Sequence, residues 1–264
     1  MEKLYIIKIG GNIIDSPAGL AKFLTDFSQL KGKKIVVHGG GKIATEISAS
    51  LGIEANMIEG RRVTDAATLK VVTMVYAGLV NKNIVANLQA LGCNAIGLTG
   101  ADANSIPAHK RKPVPIDYGF VGDIEKGTIQ TNPLRLFLDN GIVPVFAPIT
   151  HDGKGQLLNT NADTVASALA VALSVHFETR LLYCFEKQGV MQDINNEDSV
   201  IHEIAFKEYA GLKENGTIFK GMLPKLDNAF KAIQEGVKSV FICHADHLQA
   251  IINEGKKEGT ELFI

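Results

Sequence analysis

The sequence predicts an α/β fold with a mainly parallel, open central sheet and helices on both faces. Short β-rich runs alternate along the chain with amphipathic helical segments, the rhythm of strand–helix–strand units. The runs are near-continuously apolar, as strands buried on both faces of a parallel sheet must be. The first two runs, LYIIKIGG and KIVVHGGG, each stop at glycines. In open α/β sheets ligands bind in the crevice beyond the carboxyl ends of the strands.

Six runs read as strands: 4–9, 34–39, 94–99, 142–147, 181–185 and 239–244. Between them the helical pattern covers 18–30, 42–51, 65–78, 80–91, 132–140, 161–174, 221–235 and 245–253. Asp65 suits the N-cap or first turn of its helix. Asn132 reads as a cap followed by Pro133 at the first helical position, with the helix ending near Gly141. Two stretches break the rhythm. Residues 53–64 and 104–130 are polar and punctuated by Gly and Pro, and read as hairpins or long loops over one edge of the sheet. A weak boundary near 175–180 separates two lobes of one continuous sheet, residues 1–176 and 177–264.

The 264 residues are 46% apolar and carry a net charge of −1 with both signs interspersed. That balance offers no electrostatic reason for a nucleic-acid or anionic-membrane partner. No apolar run approaches transmembrane length, and no signal-peptide pattern opens the chain. Cys93, Cys184 and Cys243 lie far apart in apolar runs, which reads as buried cytosolic thiols. Cys243, His244 and His247 lack a second ligand pair at metal-site spacing, so no metal centre is expected.

Five clusters could carry chemistry. Lys8 interrupts the first strand two residues before a glycine pair. A lysine there is either an anion ligand at a strand end or an edge-strand side chain snorkelling to water. VVHGGGK (36–42) would expose consecutive N–H groups at a helix N-terminus, where an anion is favoured. It is not a Walker A loop, because Val36 and Ile43 stand where that motif needs Gly and Ser or Thr. A tight turn alone would also explain it. GRRVTD (60–65) brings two arginines suited to a carboxylate, and a solvated hairpin side chain is the favoured reading of Arg61. Asn159, Asn161 and Asp163 crowd one helix start, where capping accounts for only one of them. Lys220 and Lys225 flank another helix start, and solvation is the ordinary reading of each. Together these residues suit phosphoryl transfer, in which the protein mainly positions reactants and neutralises charge. No Ser/His/Asp order is present.

IIKIGGN, VVHGGGK, GRRVTD, the stretch 74–102, DYGFVGDI, NGIVPVFAPI, NTNADTVASALA and KGMLPKL together resemble the amino acid kinase family. They follow its order and cover most of the chain. Within the family the likeness is to the branch acting on N-acylated glutamate, not to aspartokinase, uridylate kinase, carbamate kinase or glutamate 5-kinase. The resemblance implies a three-layer αβα sandwich and ATP-dependent phosphorylation of the γ-carboxylate of N-acetylglutamate, the second step of arginine biosynthesis. It places amino-acid binding and dimerisation in the N-terminal lobe and ATP, with Mg²⁺, in the C-terminal lobe. By position it implies that Lys8 and Lys225 stabilise the transition state and that Asp163 holds the lysines by charge. Gly40, Gly41, Arg62 and Asn159 would bind the acylated amino acid. Gly10, Gly11, Gly221 and Met222 would bind the nucleotide, and Lys187 is a further candidate for it that the match does not supply.

The segment YCFEKQGV (183–190) departs from the Ser-Asp-Val-x-Gly turn of many relatives, so nucleotide contacts there are not transferred. An N-succinylglutamate-using variant would need an extra cation, for which Arg61, Lys110, Arg111 and Lys112 are candidates. A metabolite-sensing pseudokinase of the same fold is a further alternative. The first strand starts so near Met1 that no helix is expected before it. Arginine-inhibited hexamers of the family carry one, so the expectation is a cytoplasmic homodimer without arginine feedback.

Overall fold

The first apolar run forms β1 (Lys3–Ile9) and is followed at once by a five-residue helix, α1 (Gly11–Asp15). The second glycine of the pair therefore opens a helix directly after the strand. The computed structural model describes residues 1–58, 60–193, 196, 199–214, 216–218 and 222–264. Next come α2 (Pro17–Ser28), β2 (Lys33–His38) and α3 (Gly41–Ser50). The polar stretch 53–64 folds as a hairpin of β3 (Met57–Ile58) and β4 (Arg61–Arg62).

The two helices expected over 65–91 are one continuous helix of 25 residues, Ala66–Ala90. It comprises α4 (Ala66–Thr73), a π-helical segment Met74–Val80, and α5 (Asn81–Ala90). Asp65 caps its start by accepting from the Thr68 N–H at 2.7 Å. By length and composition this helix could cross a membrane, contrary to the sequence expectation that no run would. Leu69, Val71, Val72, Val75, Ile84 and Leu88 bury it against the sheet as a core helix.

β5 (Ala95–Leu98) leads into the second polar excursion, a hairpin of β6 (His109–Lys110) and β7 (Gly122–Asp123). α6 (Thr131–Asp139) starts one residue before Asn132; its N-cap is Gln130, with no side-chain cap. Asn132 is therefore inside the helix and caps nothing. β8 (Val143–Phe146), the β9 (Ile149–His151)–β10 (Leu157–Asn159) hairpin and α7 (Ala162–Leu173) follow. The C-terminal part comprises β11 (Glu178–Phe185), β12 (Glu203–Ala205), α8 (Phe206–Glu214), α9 (Leu223–Gln234), β13 (Ser239–His244), α10 (Leu248–Asn253) and β14 (Thr260–Phe263).

The main sheet has eight strands in the order β12-β14-β13-β11-β1-β2-β8-β5. Every neighbouring pair is parallel except β13 and β14. Residues alternate between the two faces of a strand. Tyr5, Ile7 and Ile9 enter a core with α2 and the long helix, while Leu4 and Ile6 enter another with α7 and α9. The result is a three-layer αβα sandwich. Lys34 is buried in the α2 layer. Its Nζ donates to the carbonyls of Phe27, Ser28 and Leu30 at 2.7, 3.0 and 2.8 Å, satisfying the end of α2.

The two excursions are stitched together near the carboxyl edge. The Thr64 N–H donates to the Tyr118 carbonyl at 2.9 Å, and the Phe120 N–H to the Thr64 carbonyl at 2.7 Å. Gly119, between them, has φ +72°, and a Cβ there would run into the Thr64 carbonyl. Gly119→Ala should lower unfolding free energy by about 1–3 kcal/mol, from left-handed strain and overpacking together. Urea denaturation tests this; an unchanged midpoint would show that the stitch yields without cost.

Candidate active site

β1 lies between β11 and β2, with Lys8 in register with Tyr183 and Val37. Lys8 is thus on a central strand, and the edge-strand alternative is excluded. Strand alternation puts Lys8 on the face of Leu4 and Ile6, towards α7. The residue is only 9% exposed, and an ammonium so placed requires a partner. Asp163, in the first turn of α7, supplies it: Lys8 Nζ lies 2.8 Å from Asp163 Oδ1. The helix N-terminus favours a carboxylate at that position. Asn161 caps the same helix, accepting from the Thr164 N–H at 3.1 Å. The crowding of polar residues here thus resolves into one cap and one counter-ion.

Lys225, in the first turn of α9, approaches from the other side. Lys225 Nζ lies 3.6 Å from the centre of the Phe185 ring, and Lys8 Nζ lies 5.5 Å from it. Burial holds the Lys225 ammonium below the ordinary lysine range; Asp163 opposes that shift and Lys8 reinforces it.

On the neighbouring strand, β2 ends at the glycine turn 39–41. Gly40 has φ +140°, and a Cβ there would stand 3.2 Å from Tyr76 Cδ1 and 3.3 Å from Val80 Cγ2. The backbone is therefore held open by glycine while the π-helical segment packs against it. Arg62 is buried beside this turn. Its Nη2 donates to the Gly41 carbonyl at 2.9 Å and to Thr45 Oγ1 at 2.7 Å, while its buried Nη1 has no partner. Burial pushes the Tyr76 hydroxyl pKa up, and the Arg62 guanidinium opposes that. Arg61 is exposed. Asn159 Nδ2 donates to Thr64 Oγ1 at 3.0 Å, and the Asn159 N–H to the Phe120 carbonyl at 2.9 Å.

The structure therefore joins Lys8, Asp163 and Lys225 in one group, and Gly40, Gly41 and Arg62 in another, with Asn159 attached through Thr64. Gly10 is the N-cap of α1 and Gly11 its first residue, at the end of β1. Lys187 is exposed in the turn after β11. Met222 is half-buried and packs on the α7–α9 core. Gly221 and Lys220 lie outside the described residues. Arg111 is held by Asp123 through Nε at 3.1 Å and through Nη2, and Lys110 lies over the Phe120 ring. Their charges are thus engaged within the hairpin. Among the described residues no group of three His, Cys, Asp or Glu side chains could hold a metal. The three cysteines are free and buried, as expected.

Sequence reasoning missed Tyr183, Phe185, Thr64 and the His38–Asn81 pair. Alternation along β11 was the available signal for the first two. His38 is fully buried behind the glycine turn. Its Nδ1 donates to the Gly39 carbonyl at 2.8 Å, and its Nε2 accepts from Asn81 Nδ2 at 3.1 Å. The same amide donates to the Val145 carbonyl at 2.9 Å.

The chain matches the amino acid kinase family over residues 3–244. It is 61% identical over 264 residues to the acetylglutamate kinase of Cytophaga hutchinsonii, covering 99% of each chain. It is 53% identical to that of Parabacteroides distasonis, covering 100% of each. Among solved structures, smu.665 of Streptococcus mutans UA159 is 26% identical with a TM-score of 0.75, covering 98% of each chain. The N-acetylglutamate synthase of Neisseria gonorrhoeae, complexed with coenzyme A and N-acetyl-glutamate, has a TM-score of 0.81 at 22% identity. The chain covers 59% of that synthase, and the likeness shows the fold alone.

Burial pushes the His38 pKa down to about 4, with the Gly39 hydrogen bond opposing and Lys82 reinforcing the shift. The unfolded chain takes up this proton near pH 6.5, the folded chain only near 4. The stability this gap confers is complete above about pH 6.5 and declines as pH falls towards 4. The full loss is on the order of 3 kcal/mol. Urea unfolding between pH 7.5 and 4.5 should show this slope, and His38→Asn should remove it. Parallel curves for the two proteins would refute the assignment.

Proposed function

The chain belongs to the amino acid kinase family, and on that premise we propose that it phosphorylates the γ-carboxylate of N-acetyl-L-glutamate with ATP, the second step of arginine biosynthesis. The observation that carries the reading is the meeting of two lysines and one carboxylate at the carboxyl edge of the sheet, beside a glycine turn. The high identity to acetylglutamate kinases supports the substrate.

The chemistry needs little from the protein beyond charge and position. A γ-carboxylate is already ionised near neutral pH, so no general base is required. Its oxygen attacks the γ-phosphorus, the bond to the β–γ bridging oxygen breaks, and ADP leaves with that electron pair. Lys8 and Lys225 neutralise charge on the phosphoryl oxygens as it redistributes. Asp163 orients Lys8 and keeps the pair from repelling apart. The backbone at Gly10 and Gly11 faces the nucleotide phosphates, with Lys187, Gly221 and Met222 on the nucleotide side. Gly40 and Gly41 face the γ-carboxylate. Arg62 turns its unpartnered Nη1 to the substrate's α-carboxylate, and Asn159 closes that side. Mg²⁺ would accompany ATP and would supply charge neutralisation on its phosphates; a lone carboxylate already paired with lysine suits that better than a protein-made cage.

In this reading residues 1–176 bind the acylated amino acid and residues 177–264 bind ATP. The protein acts in the cytoplasm as a homodimer. Met74 and Leu79, exposed on the long helix, are apolar surface for a second copy.

Purified protein given MgATP with N-acetylglutamate, N-succinylglutamate or glutamate, and trapped with hydroxylamine, should yield hydroxamate from N-acetylglutamate. Product only from N-succinylglutamate would correct the acyl group; ATP binding without product would favour the sensor. Lys8→Ala and Lys225→Ala should each lower kcat by about a hundredfold or more with the fold intact. Normal turnover in either would remove that lysine from the mechanism. Arg62→Ala should raise KM for the acylated amino acid more than it lowers kcat, and an unchanged KM would refute its role.

A further inference from the structure

Two ammonium groups converge at the carboxyl edge, and among the described residues only one carboxylate is ion-paired with either. Asp163 pairs with Lys8; Lys225 forms no ion pair among the described residues. What Lys225 does touch is the Phe185 ring, with its nitrogen 3.6 Å from the ring centre. Lys8, at 5.5 Å, is also within the roughly 6 Å over which a ring attracts a cation. We propose that Phe185 is a positioning residue of this kinase, an aromatic platform that holds Lys225, and secondarily Lys8, in place for the transferred phosphoryl group. The proposal rests on the phosphoryl-transfer role given to the two lysines above.

The ring is itself placed by the fold. Tyr183 and Phe185 stand two apart on β11, so they share a face, and both belong to the α7–α9 core. Their rings stack at 6.3 Å with 21° between planes. The Tyr183 hydroxyl donates to the Asp163 carbonyl at 3.4 Å. One aromatic pair therefore touches both halves of the charge group: Tyr183 the turn that carries Asp163, Phe185 the lysines. Gly10 lies next to the ring. A Cβ there would stand 4.0 Å from Phe185 Cδ1, so the ring packs beneath the backbone that faces the nucleotide.

A ring suits this task better than a second carboxylate. A carboxylate would take up the ammonium's N–H donors and cancel its charge, and phosphate would have to displace it. A π face attracts the cation while leaving its hydrogen bonds free and its net charge unaltered. The two lysines repel each other, and the ring offsets part of that repulsion before the nucleotide arrives. Phe185 lies in the segment 183–190 that departs from the Ser-Asp-Val-x-Gly turn, so this platform is a property of this chain's own sequence.

The test separates ring electrostatics from packing. Phe185 is replaced by 4-fluoro-, 3,5-difluoro- and 3,4,5-trifluorophenylalanine, which keep the ring's shape while draining its face. kcat/KM for MgATP should fall stepwise along the series, by about tenfold at the trifluoro ring, with Phe185→Leu at least as low. The ring favours the charged lysine, so the high-pH limb of the profile should move to lower pH along the same series. Thermal melts check that each variant is folded. A flat fluorine series with an unmoved limb, while Lys225→Ala is inactive, would overturn the platform and leave the lysine's role standing. Full activity in Lys225→Ala would overturn the reading on which the platform rests.

Discussion

Everything at the carboxyl edge depends on one placement, an ammonium buried in the middle of a parallel sheet. Lys8 sits on the central strand of an apolar run, where desolvation disfavours its charge. The fold meets that cost from a distance of 155 positions in sequence, by bringing the first turn of α7 over β1 so that Asp163 stands beside it. α7 is there because its apolar stripe, Val165, Ala166, Leu169, Ala170 and Leu173, belongs on the face lined by Leu4 and Ile6. The packing of an ordinary αβα layer thus fixes the position of a charge pair. The Asn161 cap secures the turn that carries the carboxylate. A buried pair of this kind is weak evidence for stability; its value here is orientation at the end of a strand, where ligands bind.

The other layer prepares the neighbouring strand end. His38 and Asn81 connect β2, β8 and the long helix through three hydrogen bonds behind the glycine turn. In front of it, Tyr76 and Val80 from the π-helical segment crowd Gly40. A π-helical turn shifts the facing of side chains along a helix, and here the shift brings Tyr76 and Val80 to the turn. Arg62 then bonds the first residue of α3 with one nitrogen and keeps the other unpartnered. The glycine turn is held from behind, above and beside, which leaves its open side for a ligand.

Much of this was legible in the sequence because the signals were periodic or local. All six apolar runs are strands, and the glycine stops lie on adjacent strands at one edge. Asp65 and Asn161 cap the helices expected of them. The failures have physical causes. Asn132-Pro133 resembles a helix start, but tertiary packing begins α6 one residue earlier. The strands β12 and β14 are only three and four residues long, too short for a period to show. The sequence reading separates 65–78 from 80–91, whereas the π-helical segment Met74–Val80 carries one helix across that junction. Lys8 alone could not be resolved between ligand and snorkelling side chain, because strand order decides whether a strand is central, and order is a long-range property. Phe185 was passed over for a similar reason: an apolar residue near the end of an apolar strand carries no mark of the two cations that the fold brings to it.

The same long-range character runs through the whole charged group. Its charged members come from β1, the hairpin strand β4, α7 and α9, four elements spread over most of the chain. Spread in this way, the charges leave a surplus of cations: Lys8, Lys225 and Arg62 against Asp163. In the proposed reaction that surplus meets polyanions. A nucleotide brings several negative charges and an N-acylated glutamate two. Either anion is drawn to this surplus, and the first to enter offsets the repulsion among the cations themselves.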